Sequence, residues 1–195
     1  LRNGDMLNNY DKGSIMKKIF VSILLVIISC SNDHETYSIE DFMDVISFGG
    51  SSFSHDESSI LIRSNESGIF NAYEVDLKTN QIVQLTFSDT NSIFPIGYLP
   101  NDKRFLFRGD QGGNEIWHVY LHELDGSIRD LTPGANVRSL FLDWASDQKS
   151  FFFTSNSRDQ RFMDLYEMDI ESLTSNLIFK NDDAMEIVDV SKNKR

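Results

Sequence analysis

The sequence echoes itself at a step of 46 residues, and no other feature narrows the possible folds as far. Leu85-Thr86 and Leu131-Thr132 stand 46 apart, and Leu177 lies 46 further on. Tyr73, Tyr120 and Tyr166 keep steps of 47 and 46, as do Leu77, Leu124 and Ile170. Ahead of each copy sits an acidic turn: Asp56 in FSHDESSILI, Asp102 in LPNDKRFLF and Asp147 in ASDQKSFFF. A fixed period of roughly 20–50 residues means one structural unit stacked on copies of itself.

The residues inside each copy have the periodicity of strands. Ser59–Ser64, Arg104–Arg108 and Ser150–Thr154 are short β-branched or aromatic runs. Ala72–Leu77, Tyr120–Leu124 and Tyr166–Ile170 alternate apolar and polar. Alternation predicts a half-buried strand, with Tyr73, Val75 and Leu77 on one face and Glu74 and Asp76 on the other. Turn chemistry fills the joints at residues 65–68, at Gly112-Gly113 and at Asp125-Gly126. Beyond the N-terminal apolar run nothing sustains a period of 3.6, which excludes a solenoid of helix pairs, and a sandwich gives no reason for the echo. The prediction is an all-β chain, a β-propeller of four-stranded blades filling residues 47–195. Asp143–Lys149 maps by 46 onto Asp189–Arg195, so three repeats and the first turn of a fourth are expected. Propellers close with about four to eight blades. The ring is therefore expected to be incomplete in these residues, and the chain is read as the front of a longer one.

The N-terminal region follows a different logic. Met16, Lys17 and Lys18 precede an apolar run, Ile19–Ile28, of ten residues, IFVSILLVII. That is the layout of a secretory signal peptide, and it is short of the roughly 20 apolar residues that cross a bilayer. The run ends Ile27-Ile28-Ser29-Cys30, and Cys30 is the only cysteine. A lone cysteine is a free thiol, an intermolecular partner or a modified residue. The segment resembles the lipobox of bacterial lipoproteins, which implies that Cys30 carries a diacylglyceryl group and becomes the mature N-terminus. Stable anchoring then takes more than one acyl chain. Residues 1–15 read as upstream translation, 16–29 as signal peptide and 30–46 as a lipid-anchored linker. The implied location is the bacterial cell envelope, with Ser31 compatible with the outer membrane.

Composition excludes some partners. With 18 basic and 30 acidic residues the net charge is −12, which repels phosphate backbones and argues against nucleic acid. Fifteen Phe and only three Pro point to a packed chain rather than a disordered one.

Few residues suggest chemistry. His118 and His122 are four apart, but on a strand that is about 13 Å, too far for one metal ion. They are expected to face solvent. GDQGGNE (residues 109–115) has the residue types of a calcium loop without its spacing, and reads as a hairpin. The alternating charges of RDQRF, around Arg161, read as local ion pairs, or as a loop facing a partner domain. Trp117 and Trp144 are candidate binding aromatics, with inter-blade packing the expected role of Trp144. No Gly-x-Ser-x-Gly elbow and no Gly-x-Gly phosphate cradle occurs. No catalytic residue, metal or cofactor is therefore expected, and Cys30 is the one site residue assigned, for lipidation.

The repeat resembles the N-terminal propeller of the prolyl oligopeptidase family of serine peptidases, in its acylaminoacyl-peptidase and dipeptidyl-peptidase branches. The resemblance runs from Tyr37 to Arg195. It rests on SFSHDESSILIRSNESGIFNAYEVDLKTNQIVQLT, a general TolB-like repeat, and more specifically on GDQGGNEIWHVYLHELDGSIRDLTPG and TSNSRDQRFMDLYEMD. It implies a propeller over the mouth of an α/β-hydrolase domain, admitting short peptides, with the catalytic Ser, Asp and His downstream. The expected function is thus the propeller part of a cell-envelope serine peptidase, its partners peptide substrates and, through the lipid, the membrane. The alternative is a stand-alone lipid-anchored propeller acting as a binding scaffold. A propeller-type polysaccharide lyase would need metal-binding histidines that the sequence does not offer.

Overall fold

The computed structural model describes residues 36–191, so the signal segment and Cys30 lie outside the described residues. The chain divides between Val45 and Ile46 into two units. In the first, helix α1 (Ile39–Met43) is a single capped turn: Ser38 Oγ accepts the Asp41 N–H at 3.2 Å, and Asp41 Oδ2 accepts the Ser38 N–H at 2.7 Å. Five residues are too few to display a helical period, so pattern reading passes over it. No helix among the described residues is long and apolar enough to cross a membrane.

The second unit is three four-stranded antiparallel sheets, each a simple meander. Blade 1 holds β1 (Phe48–Phe53), β2 (Ser59–Ser64), β3 (Asn71–Asp76) and β4 (Ile82–Gln84). Blade 2 holds β5 (Phe94–Tyr98), β6 (Phe105–Gly109), β7 (His118–His122) and β8 (Ile128–Asp130). Blade 3 holds β9 (Ser139–Trp144), β10 (Ser150–Ser155), β11 (Asp164–Asp169) and β12 (Ser175–Phe179). The pairing of the first two strands of every blade shifts register once, at Gly50/Ser52, Pro95/Gly97 and Phe152/Phe153. Such bulges add local twist, which a blade needs.

Hydrogen bonds explain the repeated residues. Asp56, Asp102 and Asp147 each use Oδ1 to accept the N–H two residues on (Ser58 3.1 Å, Arg104 2.8 Å, Lys149 3.0 Å), turning the first hairpin of each blade. The Leu-Thr doublet closes the last strand. Leu85 and Leu131 donate to the carbonyls of Ala72 and Val119. Thr86 and Thr132 then accept the N–H of the same two residues, at 2.8 and 3.0 Å. In blade 3 Leu177 is followed by Ile178, which has no hydroxyl. There the backbone ladder continues past a bulge to pair Phe179 with Leu165, and the fourth strand runs five residues instead of three.

Blades stack face to face. Between blades 1 and 2 lie Leu61, Ala72, Ile93, Tyr98, Phe105 and Phe107. Between blades 2 and 3 lie Leu99, Leu106, Val119, Leu121, Phe151, Phe153 and Met168. Phe105 and Phe107 thus face one neighbour while Leu106 faces the other, which is why these three consecutive residues are all apolar. The inner strands approach closely. The Tyr98 N–H donates to Ser52 Oγ at 2.8 Å, and a Cβ on Gly97 would stand 3.3 Å from that oxygen.

Stacking also corrects the expectation for β3. On its polar side Glu74 does not face water, because it pairs with Leu61 and the side they share faces blade 2. Leu77 lies past the strand end and is exposed.

Candidate functional site

The third strand of each blade opens on a polar residue, Asn71, His118 or Asp164, and these occupy the same point of the repeat. Each bonds to the segment that leaves the blade, again at one repeat position. Asn71 Oδ1 accepts the Ser88 N–H and Asn71 Nδ2 donates to the Ser88 carbonyl, both at 2.9 Å. His118 Nε2 lies 3.2 Å from the Gly134 carbonyl. Asp164 Oδ1 accepts the Asn181 N–H at 2.8 Å. Asn71, Asp164 and Asn181 are fully buried.

Asp164 also receives Arg158, whose Nη2 stands 2.8 Å from Oδ1. That guanidinium, with the Asn181 N–H, outweighs burial and holds the Asp164 carboxyl below the usual range. RDQRF is therefore the site of local pairs, as its charges suggest: Arg161 bridges Asp159 at 2.7 Å, and Arg158 reaches inward.

The two histidines are not solvent-facing. His118 is half-buried with Nδ1 2.7 Å from Asp130 Oδ2, and His122 is buried, stacked on Phe105 at 4.4 Å with Nε2 3.2 Å from the Leu85 carbonyl. Both belong to an inner strand whose side is covered by blade 1, so the polar positions of the alternation meet protein. Burial pushes the His122 pKa down, only partly opposed by its carbonyl bond and nearby carboxylates. Asp130–His118 has two members of a hydrolytic triad, but Nε2 faces the Gly134 carbonyl where a serine would stand. Among the described residues no group of three or more His, Cys, Asp and Glu is placed to hold a metal ion.

A second polar cluster crosses the first interface. Glu74 accepts the Tyr98 hydroxyl at 2.5 Å and Lys103 Nζ at 3.0 Å. Burial alone raises the Glu74 pKa, but these bonds outweigh it and leave it lowered, while burial and the Glu74 bond push the Tyr98 phenol up.

Beside this interface a cleft of about 340 Å³ opens between the β4–β5 connection and blade 2. Phe87, Ile93, Phe107 and Tyr120 form apolar walls, with Ser88, Asn91, Asp110 and Gln111 at polar points. The GDQGGNE loop forms part of it: Asp110 Oδ2 accepts the Glu115 N–H at 2.9 Å, and Asn91 Oδ1 accepts the Gly112 N–H at 2.8 Å. Trp144 packs at the margin of the second interface, against Phe151 at 5.9 Å. Trp117 lies at the rim, against Phe94 at 5.7 Å. The buried networks around Asp164 and Glu74 escaped the sequence reading, although the repeat register of Asn71, His118 and Asp164 marks one of them.

Neither a family model nor a curated protein matches the sequence. Solved structures match the fold. A prolyl endopeptidase structure has a TM-score of 0.56 at 12% identity, over 73% of this chain and 23% of that one. TolB from Acinetobacter baumannii gives 0.51 at 19% identity, over 68% and 32%. An oligogalacturonate lyase in complex with manganese gives 0.52 at 15%, over 70% and 42%. The chain thus spans less than half of each. At these identities the likeness defines the fold: three blades of the kind found in TolB and peptidase propellers.

Proposed function

We propose that this chain is the propeller part of a cell-envelope serine peptidase of the prolyl oligopeptidase type. The blades stand over an α/β-hydrolase domain encoded downstream and limit access to short peptides, while acyl transfer is the work of that domain's Ser, Asp and His. The observation that carries this reading is the blade stack's likeness to a prolyl endopeptidase propeller, taken with the GDQGGNE and SNSRDQRF loops of the repeat. Cys30 carries the lipid that holds the protein to the membrane, and the partners are peptides. A second reading, a lipid-anchored propeller acting as a binding scaffold, draws on the likeness to TolB.

Reading the gene beyond the Arg195 codon separates the two. The peptidase reading expects more 46-residue echoes, then a Gly-x-Ser-x-Gly elbow followed by Asp and His; a ring that closes and stops without an elbow leaves the scaffold. The anchor is tested by Cys30→Ser, which should release the protein from membranes. Unchanged membrane retention sinks the lipid assignment.

A further inference from the structure

Most arginines here are neutralised. Arg104, Arg129, Arg158 and Arg161 each have a carboxylate within 4.0 Å. Among the described residues, Arg63, Arg108 and Arg138 form no such ion pair, though the chain holds 30 acidic residues against 18 basic. All three sit at one end of the sheets: Arg63 and Arg108 are next to last in β2 and β6, and Arg138 immediately precedes β9. The arginines without a carboxylate among the described residues thus share one rim, while Lys78 and Lys149, which also lack an ion pair, lie at the other end.

Two of them are held in place. Three rings run in sequence along this rim, Phe70 5.5 Å from Phe94 and Phe94 5.7 Å from Trp117. The Arg63 guanidinium lies 5.6 Å from both Phe70 and Phe94, and that of Arg108 lies 5.6 Å from Phe94 and 5.2 Å from Trp117. Both cations share Phe94, so they stand within twice 5.6 Å of each other. Cation–π attraction to two rings restricts where each guanidinium can move and leaves its N–H groups to bond an acceptor. Gly49 makes room for this: a Cβ there would fall 2.7 Å from Arg63 Nε. Glu66, Asp110 and Glu115 occupy loops at the same end, but none comes within 4.0 Å of these arginines, and Asp110 is engaged by the Glu115 N–H.

We propose that Arg63 and Arg108, spaced by Phe94 and flanked by Phe70 and Trp117, form a binding site for a carboxylate of a peptide ligand. A pre-oriented guanidinium fork matches a carboxylate, and the rings offer apolar contact to the adjoining residue. The −12 net charge repels long polyanions and leaves short ligands of one or two negative charges. The choice of a peptide rests on the peptidase reading above, but the test is run on the full protein as its gene encodes it and reads binding at this rim rather than catalysis.

Trp117 provides the signal. The protein is titrated with the pentapeptide Ala-Ala-Phe-Ala-Glu, free or C-terminally amidated, with Trp fluorescence and calorimetry as readouts. Saturable binding is expected, weakened about tenfold or more by Arg63→Lys or Arg108→Lys, which keep charge but lose the fork and the stacking. Gly49→Ala is expected to weaken it too, by displacing Arg63, while Arg129→Gln leaves it unchanged. Loss on amidation assigns the C-terminal carboxylate, and retention assigns the glutamate side chain. The proposal is overturned by three results: no saturation at millimolar peptide, equal affinity in the lysine variants, or equal competition by inorganic phosphate. Thermal unfolding of each variant confirms that it is folded. A propeller that binds while its gene lacks a serine elbow refutes the peptidase reading and leaves the site standing.

Discussion

The two blade interfaces are built differently although the same repeat makes both. The interface between blades 2 and 3 is apolar at its core: aliphatic residues of blade 2 meet Phe151, Phe153 and Met168. The interface between blades 1 and 2 mixes Leu61, Ala72, Ile93, Phe105 and Phe107 with Glu74, Tyr98, Lys103 and His122. A propeller repeat thus specifies where side chains meet and leaves their chemistry free. An apolar interface gains from burial alone. The mixed one needs each polar partner in place, because an unmatched buried group costs more than a matched one returns.

Deletions in the apolar interface should cost the most. Phe151→Ala removes a fully buried ring from it and is expected to lower stability by about 3–5 kcal/mol in urea denaturation. A loss below about 1 kcal/mol would mean that blades 2 and 3 are not packed as described. In the mixed interface, Glu74→Ala strands the Tyr98 hydroxyl and Lys103 and should cost about 2 kcal/mol. Glu74→Gln keeps an acceptor for Tyr98 and should cost less, so equal losses would show that the acceptor is unimportant. Thr132→Val leaves the Val119 N–H without its oxygen, for about 1–2 kcal/mol. Ile178→Thr in blade 3 should gain nothing comparable, since the ladder continues there.

The smallest effect is the one that separates the interfaces by pH. Burial lowers the His122 pKa, so the unfolded chain takes up its proton first as pH falls. Its contribution is complete above about pH 6.5, the unfolded value, and declines as pH drops through the lower folded value. Melting temperature followed from pH 7 to 5 should fall, and His122→Phe should flatten that slope. An unchanged slope would place the titrating group elsewhere.

Much of this architecture was legible. The repeat, the strands and the hairpin aspartates follow from local chemistry, because an Asp that bonds the N–H two residues on needs no distant partner. The Leu-Thr doublet was visible as a pattern, though its purpose was not, since Thr86 and Thr132 act on residues 14 and 13 positions earlier. His118, His122 and Glu74 were misjudged for one reason. Apolar–polar alternation separates the two sides of a strand, and in a stack of sheets the polar side can meet another sheet instead of water. The Arg158–Asp164–Asn181 network joins residues up to 23 apart in sequence, and the repeat register of Asp164 marks a position without showing what it bonds. The paired arginines of the rim were equally hidden, since their meaning depends on which carboxylates stay out of reach.

One feature reaches beyond stability. Asn71, His118 and Asp164 do the same task with an amide, an imidazole and a carboxylate, each gripping the segment that leaves its own blade. A unit that fixes its own exit sets the direction in which its chain leaves without help from its neighbour, whatever the two faces between them require. Three different side chains at one position show that the repeat holds the grip constant and leaves the residue type free.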